Sequence, residues 1–493
     1  ILGVLGGCTK NFEKYNTDPY AVKSSDPSIL IPTMIESLMY VQQNDSQMID
    51  QMVGSLGGYY TLSNRWGGQN FDTFNASDSW NAIPYETMFL DIYANYFEIE
   101  KFTGASGHYY AMANLLRAAA MMRVADMYGP IPYSKVTDGQ MYVAYDKNED
   151  VYKSIIEDLK NAASVLSTYA SAYPDKKPLA AQDPVFAGDY AKWAKLANSY
   201  IMRAAMRSGD QEAFVAAYES PFGFINANAD NAMMDPAAQP NPYQLASASW
   251  GDLRSGASIV DYMNGYNDPR RSQYFTKATG GRFVGMRSGK GSFEKSAVQG
   301  YSMPNFAATD KLPVFVAAES QFLLAEATLK GWISGSAQDF YKQGIKLSMD
   351  QWGCDEYDYE EYVDDESSVP ASYSNDPIAN FPSYSRNTKV TIAWAESATQ
   401  EQKLEKIITQ KWIANYPMGI EAWTEYRRTG YPELAPVIDN LSNGVITNNA
   451  RGLRRLRYSY KEHTLNKDNY AAAVSLLGGK DDESVDLFWV KKN

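Results

Sequence analysis

Apolar positions recur at three- and four-residue intervals along most of the chain. This spacing predicts helices over residues 29–42, 86–102, 109–128, 149–168, 187–207, 318–331, 336–351, 401–416 and 467–477. From Tyr109 to Met127, the residues Met112, Leu115, Leu116, Ala119, Met122 and Val124 form a broad apolar stripe. Tyr128-Gly129-Pro130 ends it, since Gly and Pro cannot continue a helix. Leu404, Ile407, Ile408 and Trp412 repeat the pattern, and Pro417 closes that segment. The expected fold class is all-α.

Three stretches resist a helical period. Residues 55–85 and 235–316 are rich in Gly, Pro, Asn and Ser with aromatic residues interspersed, and residues 352–390 are acidic and tyrosine-rich. Loops of this length in a compact chain are usually functional or disordered, which makes these the candidate functional loops on a helical frame. The helices also invite pairing. Ala337, Tyr341 and Gly344 have the Ala-x3-aromatic-x2-small spacing of the second helix of a tetratricopeptide unit, and the segment from Leu323 to Gly331 sits where the first should lie.

Composition narrows the chemistry. With 45% hydrophobic and 21% charged residues among 493, the chain is of folded type and long enough to bury a sizeable core. Its formal charge of −13 gains nothing from counterion release on a phosphate backbone, so nucleic acid is not an expected partner. No apolar run approaches the ~18 residues of a membrane span. The two cysteines, Cys8 and Cys354, and two histidines, His108 and His463, do not make a four-ligand zinc site. Both histidines read as surface or capping residues, and no metal or cofactor is expected. The acidic stretch from Asp355 to Glu366 lacks the ligand order of an EF-hand and reads as a solvated loop.

Residues 1–8 read Ile-Leu-Gly-Val-Leu-Gly-Gly-Cys, a short apolar run ending in small residues. They look like the end of a secretory signal with a lipobox, in which Cys8 would carry the lipid. Residues 9–493 are then expected to form one helical domain with loop-rich insertions near 55–85, 235–316 and 352–390.

Further motifs lie between the helices. Asn16-Thr17-Asp18-Pro19 follows the cysteine, and Ala125-Asp126-Met127-Tyr128-Gly129-Pro130-Ile131-Pro132-Tyr133 follows a long helix. Leu323-Leu324-Ala325-Glu326-Ala327 precedes Lys330-Gly331-Trp332, and Gln410-Lys411-Trp412 leads into Gly419-Ile420-Glu421-Ala422-Trp423. Tyr426-Arg427-Arg428-Thr429-Gly430-Tyr431-Pro432, Arg454-Arg455-Leu456-Arg457-Tyr458 and Leu477-Gly478-Gly479 complete the set. In this order the motifs resemble the SusD/RagB-like nutrient-binding outer-membrane lipoproteins of Bacteroidetes, most closely the branch opening with Asn-Thr-Asp-Pro. The resemblance runs from Cys8 to Gly479.

It implies about four tetratricopeptide-like helix pairs in a right-handed scaffold with long irregular ligand-binding loops. It also implies a lipid-anchored protein at the outer membrane, facing outward, that captures oligosaccharide or oligopeptide and acts as the lid of a TonB-dependent SusC-like transporter. Members of such a family bind and do not catalyse.

Most motif residues are expected to build the scaffold, with Glu421 paired to Arg427 or Arg428. Ligand contacts are expected from the loops, where aromatic faces can cover sugar rings and neighbouring polar groups can meet hydroxyls. Trp66 and Asn70 lie in Asn64-Arg65-Trp66-Gly67-Gly68-Gln69-Asn70-Phe71, followed by Trp80 and Tyr85. The second stretch offers Trp250, Asp252, Arg254, Tyr266, Arg287 and Tyr301. Each aromatic could instead pack its own loop. Two other functions compete. A helical glycosidase would need a carboxylate pair about 5 Å or about 6.5–9.5 Å apart, and a tetratricopeptide scaffold would bind proteins on a bare concave face.

Overall fold

The computed structural model describes residues 26–140 and 142–491. Cys8 and the Asn16-Thr17-Asp18-Pro19 element lie outside the described residues. The helices of eight or more residues are α1 (Pro27–Glu36), α2 (Asp78–Thr103), α3 (Gly107–Tyr128), α4 (Asn148–Ala172) and α5 (Tyr190–Ser208). They continue with α6 (Gln211–Tyr218), α7 (Ala257–Gly265), α8 (Ala317–Leu329) and α9 (Ala337–Gln351). The last are α10 (Glu356–Val363), α11 (Gln400–Ala414), α12 (Gly419–Thr429) and α13 (Lys467–Leu476). Four short strands, β1 (Tyr60–Leu62), β2 (Ala232–Met234), β3 (Leu253–Ser255) and β4 (Leu312–Phe315), pair as two ribbons, β1 with β3 and β2 with β4. The all-α, tetratricopeptide-like expectation holds. No helix among the described residues is long and apolar enough to cross a membrane.

Successive helices pack on one another, α2 on α3, α3 on α4, α4 on α5 and α8 on α9, with α11 also lying on α8. The small residue of the predicted pair earns its place at Gly344 in α9. A Cβ there would stand 2.7 Å from the Phe322 ring of α8, closer than carbon atoms can approach.

The ends of the helices follow local chemistry. Ser77 caps α2 by accepting the Trp80 N–H at 3.3 Å, so this helix begins at Asp78, inside the stretch expected to be loop. Pro84 then removes a donor from the interior of α2. The Tyr128 hydroxyl fills the break, donating to the Asn81 carbonyl at 2.5 Å and accepting the Tyr85 N–H at 3.2 Å. A hydroxyl spliced into the helix ladder gives Tyr128, one of the motif residues expected to build the scaffold, a specific structural task. At the end of α1, Glu36 takes the Gln42 N–H at 2.6 Å and turns the chain, which is why the expected helix to residue 42 stops at Glu36.

Two further expectations are corrected. The acidic stretch is not a loop. Asp355 caps α10 by accepting the Asp358 N–H at 2.9 Å, its acids favour the positive end of the helix, and Tyr362 and Val363 are buried. Glu421 does not pair with Arg427 or Arg428. It meets Arg207 of α5 at 2.5 Å, whereas Arg428 takes Glu326 and Glu425, and Arg427 donates to the carbonyls of Asp126 and Arg454.

These contacts belong to a buried charge network that ties α3, α5, α8, α11 and α12 together. Arg203 makes a bidentate pair with Glu319, both bonds 2.7 Å long. Arg207 also holds Asp126 at 2.6 Å, and Lys411 holds Glu425 at 3.0 Å. Burial lifts Asp126 to about 6 despite Arg207, while Arg428 and Lys411 outweigh burial at Glu425 and hold it well below the carboxylate range. Sequence separation hides most of these partners, because apart from Arg428 and Glu425 they lie on different helices.

Candidate functional site

The β1–β3 ribbon joins the first two long loops. Its antiparallel register sets Tyr60 opposite Ser255, Thr61 opposite Arg254 and Leu62 opposite Leu253, and Ser63 N–H continues the ladder to Asp252 O at 2.8 Å. Extending that register brings the turn after Asn64 to the turn before Gly251. Residues of two distant stretches, Trp66 and Trp250, therefore emerge from the same end of one ribbon.

Asp252 fastens the junction. Its carboxylate accepts the side-chain amides of Gln47 at 3.1 Å and Asn64 at 3.0 Å, and pairs with Lys295 at 2.5 Å. Lys295 also donates to the Trp250 carbonyl at 2.8 Å. Gln47 lies within one π-helical turn, Ser46–Gln51, and Trp250 directly follows another, Leu245–Ser249. Such turns cost backbone geometry and recur at functional sites.

Trp66 itself sits at φ +38°, a left-handed conformation that a bulky residue rarely takes. Gly67 and Gly68 continue at φ +84° and +94°, with open space where a side chain would be. Three consecutive left-handed residues turn the backbone sharply, with the Asn64 side chain holding the Trp66 N–H at 3.2 Å and the indole partly buried against the core. The Trp66 ring meets Trp80 edge-on at 5.9 Å between centroids, and Trp80 stacks on buried Phe71 at 6.5 Å. Below them Arg65 pairs with buried Asp72 at 2.8 Å and bonds Thr73 at 2.9 Å. Trp66, Trp80 and Trp250 are each half-buried. Trp80 belongs to the first turn of α2, before the break at Pro84.

The other candidates occupy different surroundings. Asn70 is fully buried, and both polar atoms of its side chain lack a partner among the described residues. Tyr85 is buried on α2, its hydroxyl 3.3 Å from that of Tyr145; with Phe89, Tyr93 and Phe97 it lines a separate groove of about 410 Å3. Arg254 lies in β3 rather than in a loop, bonding the carbonyls of Ser247 and Leu253 and the side chain of Gln299. Burial brings its guanidinium down to about 10. Tyr266 is buried and donates to the Val390 carbonyl at 3.0 Å. Arg287 is buried against the carbonyls of Pro382 and Pro436, and Tyr301 gives its hydroxyl to Asp376 at 2.5 Å. The structure thus sets Trp66 against Trp80, places Trp250 at the same end of the ribbon, and leaves these six in other surroundings. Gln47, Asn64 and Lys295, which hold the junction, carried no periodic or motif signal that could have singled them out.

A family model for SusD-like chains, described as Susd and RagB outer membrane lipoprotein, matches residues 11–490. A SusD homolog from Bacteroides uniformis is 36% identical with a TM-score of 0.88, covering 95% of this chain and 100% of its own. A SusD-like protein from Bacteroides thetaiotaomicron is 35% identical with a TM-score of 0.90, covering 95% and 99%. A chitin-binding SusD homolog from Flavobacterium johnsoniae is 31% identical with a TM-score of 0.89, again covering 95% and 99%. No curated protein sequence matches. Agreement in fold, in sequence and over nearly the full length has one explanation: the chain belongs to the SusD-like family of outer membrane lipoproteins.

Proposed function

We propose that this chain is a nutrient-binding lipoprotein that captures an oligosaccharide on the tryptophan cluster and passes it, unchanged, to a SusC-like TonB-dependent transporter, over which it sits as a lid. The observation that carries the reading is the Trp66–Trp80 contact beside the end of the β1–β3 ribbon from which Trp250 also emerges. Half-buried indoles offer apolar faces to sugar rings, and the adjacent amides and Lys295 offer polar partners for hydroxyls. The chitin-binding relative supports a glycan over a peptide. Anchorage through a lipid on Cys8 and an outward-facing position complete the proposal. Arg254, Arg287, Tyr301, Asn70 and Tyr85 then act as supports of the loops that present the indoles.

The family's members bind rather than catalyse, so capture without turnover is the expected behaviour. The test is a binding screen of neutral oligosaccharides and oligopeptides with Trp66→Ala and Trp250→Ala beside the native chain. Each substitution should weaken an oligosaccharide about tenfold or more, as expected for losing a stacked aromatic face. Ligand capture that neither substitution weakens would sink the assignment, and selective capture of oligopeptides would move it to the peptide alternative. Isolation from membranes in mild detergent should bring a large barrel transporter with it; recovery of the lone chain would count against the lid.

A further inference from the structure

A second cavity, of about 500 Å3, opens between the C-terminal half of α7 and residues 371–377, and no residue of the tryptophan cluster lines it. Its volume lies in the range of small-molecule sites. The charged groups on its wall divide into two kinds. The acids are met by the protein. Asp376 accepts the Tyr301 hydroxyl at 2.5 Å and the N–H groups of Ile378 and Phe381 at 3.0 and 2.7 Å. Asp261, buried, faces Arg386 at 3.7 Å.

The cations are not met in this way. Arg271, half-buried, bonds only neutral oxygens: the Asp268 carbonyl at 3.2 Å and the side-chain amides of Asn264 at 3.3 Å and Asn267 at 2.5 Å. Burial disfavours its charge, and the backing of Asp268 does not restore it. Arg282 is exposed at the same wall and makes no ion pair among the described residues. In a chain of formal charge −13, two arginines without carboxylate partners in one cavity form a local exception to the overall field.

The remaining wall is suited to hydroxyls. Asn264, Ser372, Ser374 and Asn375 line it with neutral donors and acceptors. The hydroxyl of buried Tyr373 has no hydrogen-bond partner among the described residues. Phe283 supplies one apolar face, with the Arg271 guanidinium 5.7 Å from its ring centre.

We propose that this cavity is a second ligand site, selective for an acidic saccharide unit whose carboxylate is held by Arg271 and Arg282 and whose hydroxyls meet the neutral polar wall. Guanidinium groups match carboxylates in geometry as well as in charge. The proposal goes beyond the tryptophan cluster and does not depend on it.

The experiment is calorimetric titration of the full chain with oligogalacturonate, oligoalginate and a glucuronate-containing oligosaccharide, each beside its carboxyl-reduced counterpart. At least one acid should bind ~tenfold or more tightly than its reduced form. Arg271→Gln and Arg282→Gln should each remove most of that discrimination, Arg271→Lys should restore part of it, and Trp66→Ala should leave it intact. Failure of all three acids to bind, equal binding of the reduced forms, or preference for a peptide carboxylate would overturn the proposal. So would discrimination unchanged in variants that melt like the native chain. Should Arg271→Gln not fold, exposed Arg282 carries the test. Loss of neutral oligosaccharide binding in Trp66→Ala with acid discrimination retained would separate this site from the tryptophan cluster.

Discussion

Arg203 and Arg271 show how differently the helical frame and the loop-rich 235–316 stretch treat the same side chain. Arg203 is buried between α5 and α8, and Glu319 meets it with two bonds of 2.7 Å, so its charge is stabilised despite burial. Arg271 is only half-buried, yet its partners are neutral and burial prevails. The contrast extends to whole regions. In the frame, charges from five helices face one another; in the loops, indoles and guanidinium groups remain partly uncommitted. A frame gains rigidity by satisfying its polar groups internally, because an unpaired buried charge costs several kcal/mol. A binding surface must keep some of its groups unsatisfied until a ligand arrives.

The largest test of this contrast is Glu319→Ala. It leaves Arg203 and Lys411 facing each other without their shared acid, and should cost about 3–5 kcal/mol by denaturant titration. Arg271→Gln should move the same midpoint by under about 0.5 kcal/mol. Equal costs would erase the distinction between the regions.

The dependence of stability on pH comes next. Burial is the main cause that raises Asp126 to about 6 and Asp261 to about 7, from an ordinary carboxylate value of 3.8. The folded state therefore holds protons that the unfolded state has released, and stability should fall as pH rises from about 4 to about 7. Glu425 has the opposite sign. Its depressed pKa contributes stability present above about 4.5 and lost on further acidification. The denaturation midpoint should be highest near pH 5, with each raised acid contributing on the order of 1–3 kcal/mol. A midpoint that climbs steadily from pH 5 to pH 8 would contradict this.

Tyr128→Phe sharpens the comparison at the boundary of the two regions. Without the hydroxyl, the Asn81 carbonyl and Tyr85 N–H are left facing a gap beside Pro84. The change should cost about 1–2 kcal/mol and accelerate amide exchange at Tyr85 in particular; unchanged exchange would mean the helix closes on its own. Gly67→Ala is the mildest case. No atom stands within 4 Å of the new Cβ, so the cost, about 1 kcal/mol, is that of φ +84° alone. Oligosaccharide binding at Trp66 should weaken severalfold if the left-handed turn aims the indole.

The frame was legible in the sequence where one helix records its own burial. The stripe from Met112 to Val124 and the spacing of Ala337, Tyr341 and Gly344 are repeated facts of one surface, and α3 and α9 lie where those patterns put them. Legibility failed where a competing local signal intervened. Pro84 and the polar residues ahead of it hid the start of α2, and the density of acids around Tyr357 hid α10, whose helix the Asp355 cap and buried Tyr362 and Val363 sustain. At the tryptophan cluster, residue types were legible and grouping was not: nothing in composition separates Trp66 from Arg287, though one sits half-buried in a left-handed turn and the other is buried under carbonyls.

By itself, then, the order of residues determined the helices, their small-residue contacts and the family to which the chain belongs, since periodicity and motif are properties of neighbours along the chain. Tertiary structure alone decided that Glu421 meets Arg207 across 214 positions, that Asp252 gathers Gln47, Asn64 and Lys295, and that Arg271 and Arg282 share one cavity. Electrostatic partnership and burial depend on distance in space, and no pattern confined to one helix or one loop encodes that distance.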